Sequence, residues 1–340
     1  MKRVQVFFVS GLFAVLSVFF AVSAATGVEN GGYANGQFLV TTDWLEQHVN
    51  DPDIRILDRQ DIYPKDDFYS KGHIPNSIRM PTSAIKGMKG DIQEMLILKN
   101  LVKYLEENGV SPDDHIILVG RSEKLPATTR VFWALDVLGH KKMSILDGGI
   151  DKWKTEKRQV TTEVPHYPKV TYAIPALHRD RIMTGEELEG YLGLYDRLGL
   201  TVVDSRRPSE FEGKEMSRSS SKLGRIPGST NLMFMALLTG KDYKEFKPAK
   251  EIQEIFASKG LSPDKHLTFT CVSGCFGTVD YFAARLLDYP NVSVYDGAWI
   301  EWCKRNYPVE AAQGSKTPAA IQKPKEKQKK AKTGVPEEGC

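Results

Sequence analysis

Two cysteines four residues apart, in the stretch LTFTCVSGCFGTVDYFAARLL (267–287), are the side chains best suited to covalent chemistry. The run at 267–270 reads as a strand that stops at Cys271. A short loop containing Gly274 follows, and then the spacing of GTVDYFAARLLDY reads as a helix. A thiol placed there sees loop N–H groups and the positive end of a helix. Both favour the thiolate and lower its pKa. Inward-facing N–H groups form an anion-binding nest. Ser273 adds a hydroxyl donor and Gly274 permits a tight turn. Such a cradle suits anionic substrates and an anionic sulfur intermediate. The same residues could instead be small buried thiols, or a disulfide if the loop brings the two Cα atoms within about 7 Å.

Other chemistries have less to build on. No C-x-x-C pair and no Cys/His set with zinc-like spacing occurs. Phosphatase chemistry on such a loop wants Cys-x5-Arg, but that position is Gly277, and no basic residue lies between Cys271 and Arg285. Cys303, between Trp302 and a Lys-Arg pair, reads as a structural thiol, and Cys340 ends a Lys-rich tail.

The elements that position the loop occur twice. The first half contains IRILDRQD (54–61), GHIPNSIRMP (72–81), HIILVGRS (115–122) and MSILDGGIDKW (143–153). The second contains LTVVDSRRP (200–208), GRIPGSTNLMF (224–234), LTFTCVSG (267–274) and VSVYDGAWIEW (292–302), in the same order. Amphipathic segments such as DWLEQHV and LVKYLEENG alternate with the apolar runs. Short strands alternating with helices predict an α/β fold: two tandem units, each a parallel sheet flanked by helices. Asp58 and Asp204 follow the first strand of each unit and are expected to cap loops and pair with Arg59 or Arg206. His73 and Arg225, in the repeated G-x-I-P turn, and Trp299 and Trp302 are expected to be structural.

The chain has 340 residues, 41% apolar and 26% charged, which is ordinary globular composition. The net charge of +3 is too small to argue for nucleic acid, and Lys2 and Arg3 supply two of those charges. These two precede the apolar run 4–25, which ends in small residues. That pattern predicts a secretory signal cleaved near Ala24 or Ala25, with an uncleaved membrane anchor as the alternative, and a periplasmic location. The expected organisation is a signal at 1–25, a first domain at 37–160, a linker at 161–181, a second domain at 182–310 and a disordered Lys-rich tail at 311–340. The tail could touch anionic lipid or an acidic partner.

The two units resemble a tandem rhodanese, the two-domain sulfurtransferases related to thiosulfate and mercaptopyruvate sulfurtransferases. The resemblance spans residues 37–310 and rests on GHIPNS and GRIPGS, ILDGGIDKW and VYDGAWIEW, and CVSGCF. It implies a catalytic second domain and a non-catalytic first one. In keeping with that, the strand that ends in Cys271 has a counterpart ending in Gly120, without a thiol. The implied chemistry is a double displacement. The Cys271 thiolate takes a sulfur from a small anionic donor, and a thiol or cyanide acceptor removes it. Loop residues Val272, Ser273, Gly274, Cys275 and Phe276 hold the persulfide charge, with no metal and no organic cofactor.

The sequence departs from the family pattern. Val272 stands where thiosulfate-type members carry a basic residue, and Val272, Cys275 and Phe276 do not match the mercaptopyruvate-type loop, whereas Ser273 and Gly274 do. The family's substrate arginine falls on Glu210, which leaves Arg206 and Arg207 as candidate substrate-binding residues. The C-x-x-x-C loop also permits a second function, an exported thiol-redox or chalcogen-handling protein in which Cys275 resolves Cys271. A binding module without activity is a third, and the intact Cys271 argues against it.

Overall fold

The computed structural model describes residues 31–311, apart from 64 and 91. The expected signal and nearly all of the expected tail, Cys340 included, lie outside the described residues.

The first unit runs β1 (Leu39–Val40), α1 (Thr42–His48), β2 (Ile54–Asp58), β3 (Ser77–Arg79), β4 (Lys86–Lys89), β5 (Ile92–Leu96), α2 (Leu98–Glu107), β6 (His115–Val119), α3 (Leu125–Val137), β7 (Met143–Leu146) and α4 (Gly149–Thr155). The second runs β8 (Ile182–Met183), α5 (Gly185–Gly190), α6 (Tyr195–Leu198), β9 (Leu200–Asp204), α7 (Pro208–Phe211), β10 (Thr230–Asn231), β11 (Leu238–Thr239), β12 (Glu245–Phe246), α8 (Ala249–Ser258), β13 (His266–Thr270), α9 (Gly277–Leu286), β14 (Val292–Tyr295) and α10 (Ala298–Lys304).

The sheet orders are β1-β7-β6-β2-β3 and β8-β14-β13-β9-β10, which is one topology used twice. All pairings within these two sheets are parallel. Register repeats too: Asp58 stands beside Val119, and Asp204 beside Thr270. β6 and β13 occupy the centre of their sheets and are buried along nearly their whole length, which suits the continuous apolar run of β6, while β13 alternates apolar residues with the buried Thr268 and Thr270. Each carries a histidine at its start bonded across to a serine, His115 to Ser144 at 2.8 Å and His266 to Ser293 at 2.9 Å.

The units pack through α3 and α9. Thr129 and Thr278 exchange a hydrogen bond at 2.8 Å, and the Phe132 and Phe282 rings meet edge to face at 4.7 Å. Both phenyl groups are fully buried in an apolar cluster that runs through the two units. Each contributes about 2 kcal/mol relative to exposure. The strand-end aspartates also cross over. Asp147 accepts from Phe246 N at 3.1 Å, and Asp296 accepts from Leu96 N at 2.6 Å. Between α4 and β8 the chain has no regular element apart from a bridge of Thr161 to His73 and a short turn at Arg179–Arg181.

One expected pairing is not made. Asp58 accepts from the backbone and side chain of Gln60, while Arg59 turns away to the Met80 carbonyl. His73 bonds the Tyr69 and Glu163 carbonyls, and Arg225 pairs with Glu310.

Candidate active site

Cys271 follows the last residue of the central strand of the second sheet, with α9 beginning six residues later. It carries a free thiol and is 1% exposed. What makes the loop a cradle is where its carbonyls go. The Cys271 and Val272 carbonyls accept from Trp299 N and Ile300 N in the first turn of α10, at 3.0 and 3.1 Å. The Ser273 carbonyl accepts from Arg130 Nη1 at 2.8 Å. The Cys275 carbonyl accepts from the Thr278 hydroxyl at 2.6 Å. With these acceptors engaged elsewhere, backbone N–H groups face the sulfur. Phe276 N donates to Cys271 Sγ at 3.2 Å, and the N–H groups of Ser273 and Gly277 also favour the thiolate.

Gly274 makes the curl. Its φ is +76°, and a Cβ there would stand 2.8 Å from the Asp296 carbonyl and 3.0 Å from Arg130 Nη1. Gly277 lets α9 approach β13 closely, since a Cβ there would lie 3.0 Å from Thr270 N.

The thiol does not have the depressed pKa expected from the sequence. Burial pushes Cys271 up, the N–H groups of Gly277, Ser273 and Phe276 pull it back only in part, and nearby Asp204 adds to the rise. Strand, loop and helix together enclose the sulfur, so it loses more hydration than the loop returns.

A cavity of about 370 Å³ opens on Cys271. Val272, Ser273, Cys275 and Phe276 line it together with Arg207, Glu210, Arg218, Met233 and Phe234. Gly274 is in the loop but not in the lining. The structure separates the two candidate arginines. Arg206 is buried, with its Nε and Nη2 on Asp204, its Nη1 on Ser217 and its face over Trp299. It is spent on the fold and does not reach the cavity, because the Asp204 carboxylate captures its fork. Arg207 does reach it, with a side chain 61% exposed. Cys275 is disulfide-bonded and Cys271 is free, so the two loop cysteines are not joined to each other. Cys303 is a buried free thiol away from the lining.

Sequence reasoning missed Arg130, Arg218, Met233 and Phe234. One signal did point to Arg218: the connection from first strand to G-x-I-P turn is longer in the second unit (205–223) than in the first (59–71). At the matching position the first unit has no thiol. A Cβ at Gly120, the counterpart of Cys271, would lie 2.2 Å from Thr128 Oγ1.

Comparison with known proteins agrees with this geometry. The family described as "Rhodanese-like domain" matches residues 41–156 and 187–305. A sulfur carrier protein of Thermus thermophilus is 30% identical over 80% of this chain and 95% of its own length. A thiosulfate sulfurtransferase of Gallus gallus is 30% identical over 81% of this chain and 96% of its own. The crystal structure of a 3-mercaptopyruvate sulfotransferase from Escherichia coli superposes with a TM-score of 0.65 at 27% identity, covering 77% of this chain and 98% of that one. With two matched domains and a free cysteine on the second, the chain belongs to the rhodanese family as a tandem-domain sulfurtransferase.

Proposed function

We propose that the chain moves a sulfane sulfur from a small anionic donor such as thiosulfate to a thiol or cyanide acceptor, through a persulfide on Cys271. The observation that carries this is the free Cys271 thiol at the cavity, with the loop carbonyls turned outward and N–H groups turned toward the sulfur. The Cys271 thiolate attacks the outer sulfur of the donor. A Cys–S–S bond forms, the donor's own S–S bond breaks, and sulfite leaves with the electron pair. The persulfide anion now occupies the cradle, where the N–H groups of Ser273, Phe276 and Gly277 hold its charge. Cyanide or a thiolate then attacks the outer sulfur, and the Cys271 thiolate is the leaving group. The N-terminal sequence, two basic residues ahead of an apolar run ending in Ala24 and Ala25, supports a periplasmic place of work.

The test is thiocyanate formation from cyanide with wild type and Cys271→Ser. The variant should lose at least about a thousandfold in rate, since the covalent step has no other nucleophile. A variant that keeps a tenth or more of the activity would sink the reading.

A further inference from the structure

Two features of the cavity wall bear on what can enter it. The first is charge. Arg207 Nε lies 3.3 Å from the Glu210 carboxylate, whose side chain is only 7% exposed, and Glu215 stands 4.0 Å from the same guanidinium. Arg218 makes no ion pair among the described residues. The Arg207–Glu210 pair cancels, and the wall keeps one uncompensated cation.

The second feature is apolar surface. Met233, Phe234, Val272 and Phe276 line the same space, with the Phe234 and Phe276 rings stacked at 4.8 Å and 23°. A compact dianion entering here gives up its hydration for a single net positive charge beside a buried carboxylate, so part of its charge goes uncompensated. A singly charged donor matches the wall, and an apolar body gains by covering the phenyl rings.

We infer that the preferred sulfur donor is a singly charged sulfane-sulfur anion with an apolar body of about the size of one aromatic ring. This inference rests on the Cys271 persulfide reading. An aryl thiosulfonate is the simplest such donor. The Cys271 thiolate attacks its terminal sulfur, the new S–S bond forms, and the S–S bond to the sulfonyl group breaks. The aryl sulfinate leaves with the electron pair, one negative charge on each product.

The experiment is single-turnover persulfide formation with benzenethiosulfonate and with thiosulfate at equal concentration, read by intact mass. Each rate is divided by that of the same donor with free N-acetylcysteine, which removes intrinsic reactivity. The corrected ratio should favour benzenethiosulfonate by at least about tenfold. Glu210→Gln, which removes the buried negative charge at the wall and leaves Arg207 only the exposed Glu215 at 4.0 Å, should narrow that ratio by speeding thiosulfate, and Phe234→Ala should narrow it by slowing the aryl donor. A wild-type ratio at or below one overturns the inference while leaving the persulfide reading intact. A ratio that Glu210→Gln does not move overturns the charge argument. No persulfide from either donor overturns the persulfide reading, and the inference with it.

Discussion

Cys271 meets two opposed demands. Burial protects a reactive sulfur anion from water and strengthens each N–H group aimed at it. The same burial makes the anion costly to form, and the cost exceeds what the loop returns. The folded thiol therefore holds its proton to higher pH than an ordinary cysteine, whose pKa is about 8.5. Since only the thiolate attacks, the single-turnover rate of persulfide formation should rise about tenfold per pH unit from pH 6 to 8 and keep climbing beyond pH 9. A stopped-flow pH profile that levels off below pH 8 would show that the cradle outweighs burial. The cysteine itself was legible because a thiol between strand and helix has a recognisable local signature. The split between Arg206 and Arg207 was not. Adjacent residues of one type differ only in which way each points, and here Asp204, Ser217 and Gly224 fix Arg206 inward.

Among the elements, the loop between β13 and α9 acts as a unit whose polarity its neighbours set. The first turn of α10 takes two carbonyls, Arg130 a third and Thr278 a fourth. The turn that permits this is at Gly274, where φ is positive and the nearest contacts belong to Asp296. Gly274→Ala should cost about 1–3 kcal/mol in unfolding free energy from the conformation alone. It should also slow persulfide formation by about a hundredfold, because a backbone contact cannot yield without moving the N–H groups. Gly190→Ala, in α5 with nothing within 4 Å, is the control and should leave both unchanged or slightly raise stability. An equal effect at the two glycines in chemical denaturation and rate would contradict the role given to Gly274. The glycine and the strand–loop–helix order were readable in the sequence, whereas the destinations of the carbonyls depend on α10 and Arg130, which come from elsewhere in the chain.

Taken whole, the molecule is two copies of one topology joined by contacts that are mostly paired across the two units. Each unit's strand-end aspartate accepts an N–H from the other unit, Asp147 from Phe246 and Asp296 from Leu96. Among the described residues, a buried arginine joins only on the Cys271 side. Arg130, from α3 of the first unit, pairs with Asp296 and donates to the Ser273 carbonyl. The thiol-free unit thus supplies a buried side chain that holds the loop of the other, and on the proposed persulfide chemistry Arg130 is a positioning residue. Arg130→Met should lower stability by roughly 3–5 kcal/mol, because Asp296 is left buried without its cation. It should also slow persulfide formation. Arg130→Met with Asp296→Asn should regain much of the stability but not the rate, since the Ser273 carbonyl still lacks its donor. Full rate in the double variant, by calorimetry and single-turnover assay together, would reduce Arg130 to a structural ion pair. The repeat made both units readable from sequence. Their junction was not, because α3 is buried on every side, and a helix without a polar face gives no periodicity from which to tell what it packs against.

A sulfur carried on Cys271 would be read from the intact mass of the protein before and after a sulfane-sulfur donor, then after cyanide. A persulfide on Cys271 gives a gain of about 32 Da, one sulfur, that cyanide removes and that Cys271→Ser never shows. A protein whose mass does not change with any sulfane-sulfur donor, or a gain that survives in Cys271→Ser, would contradict it.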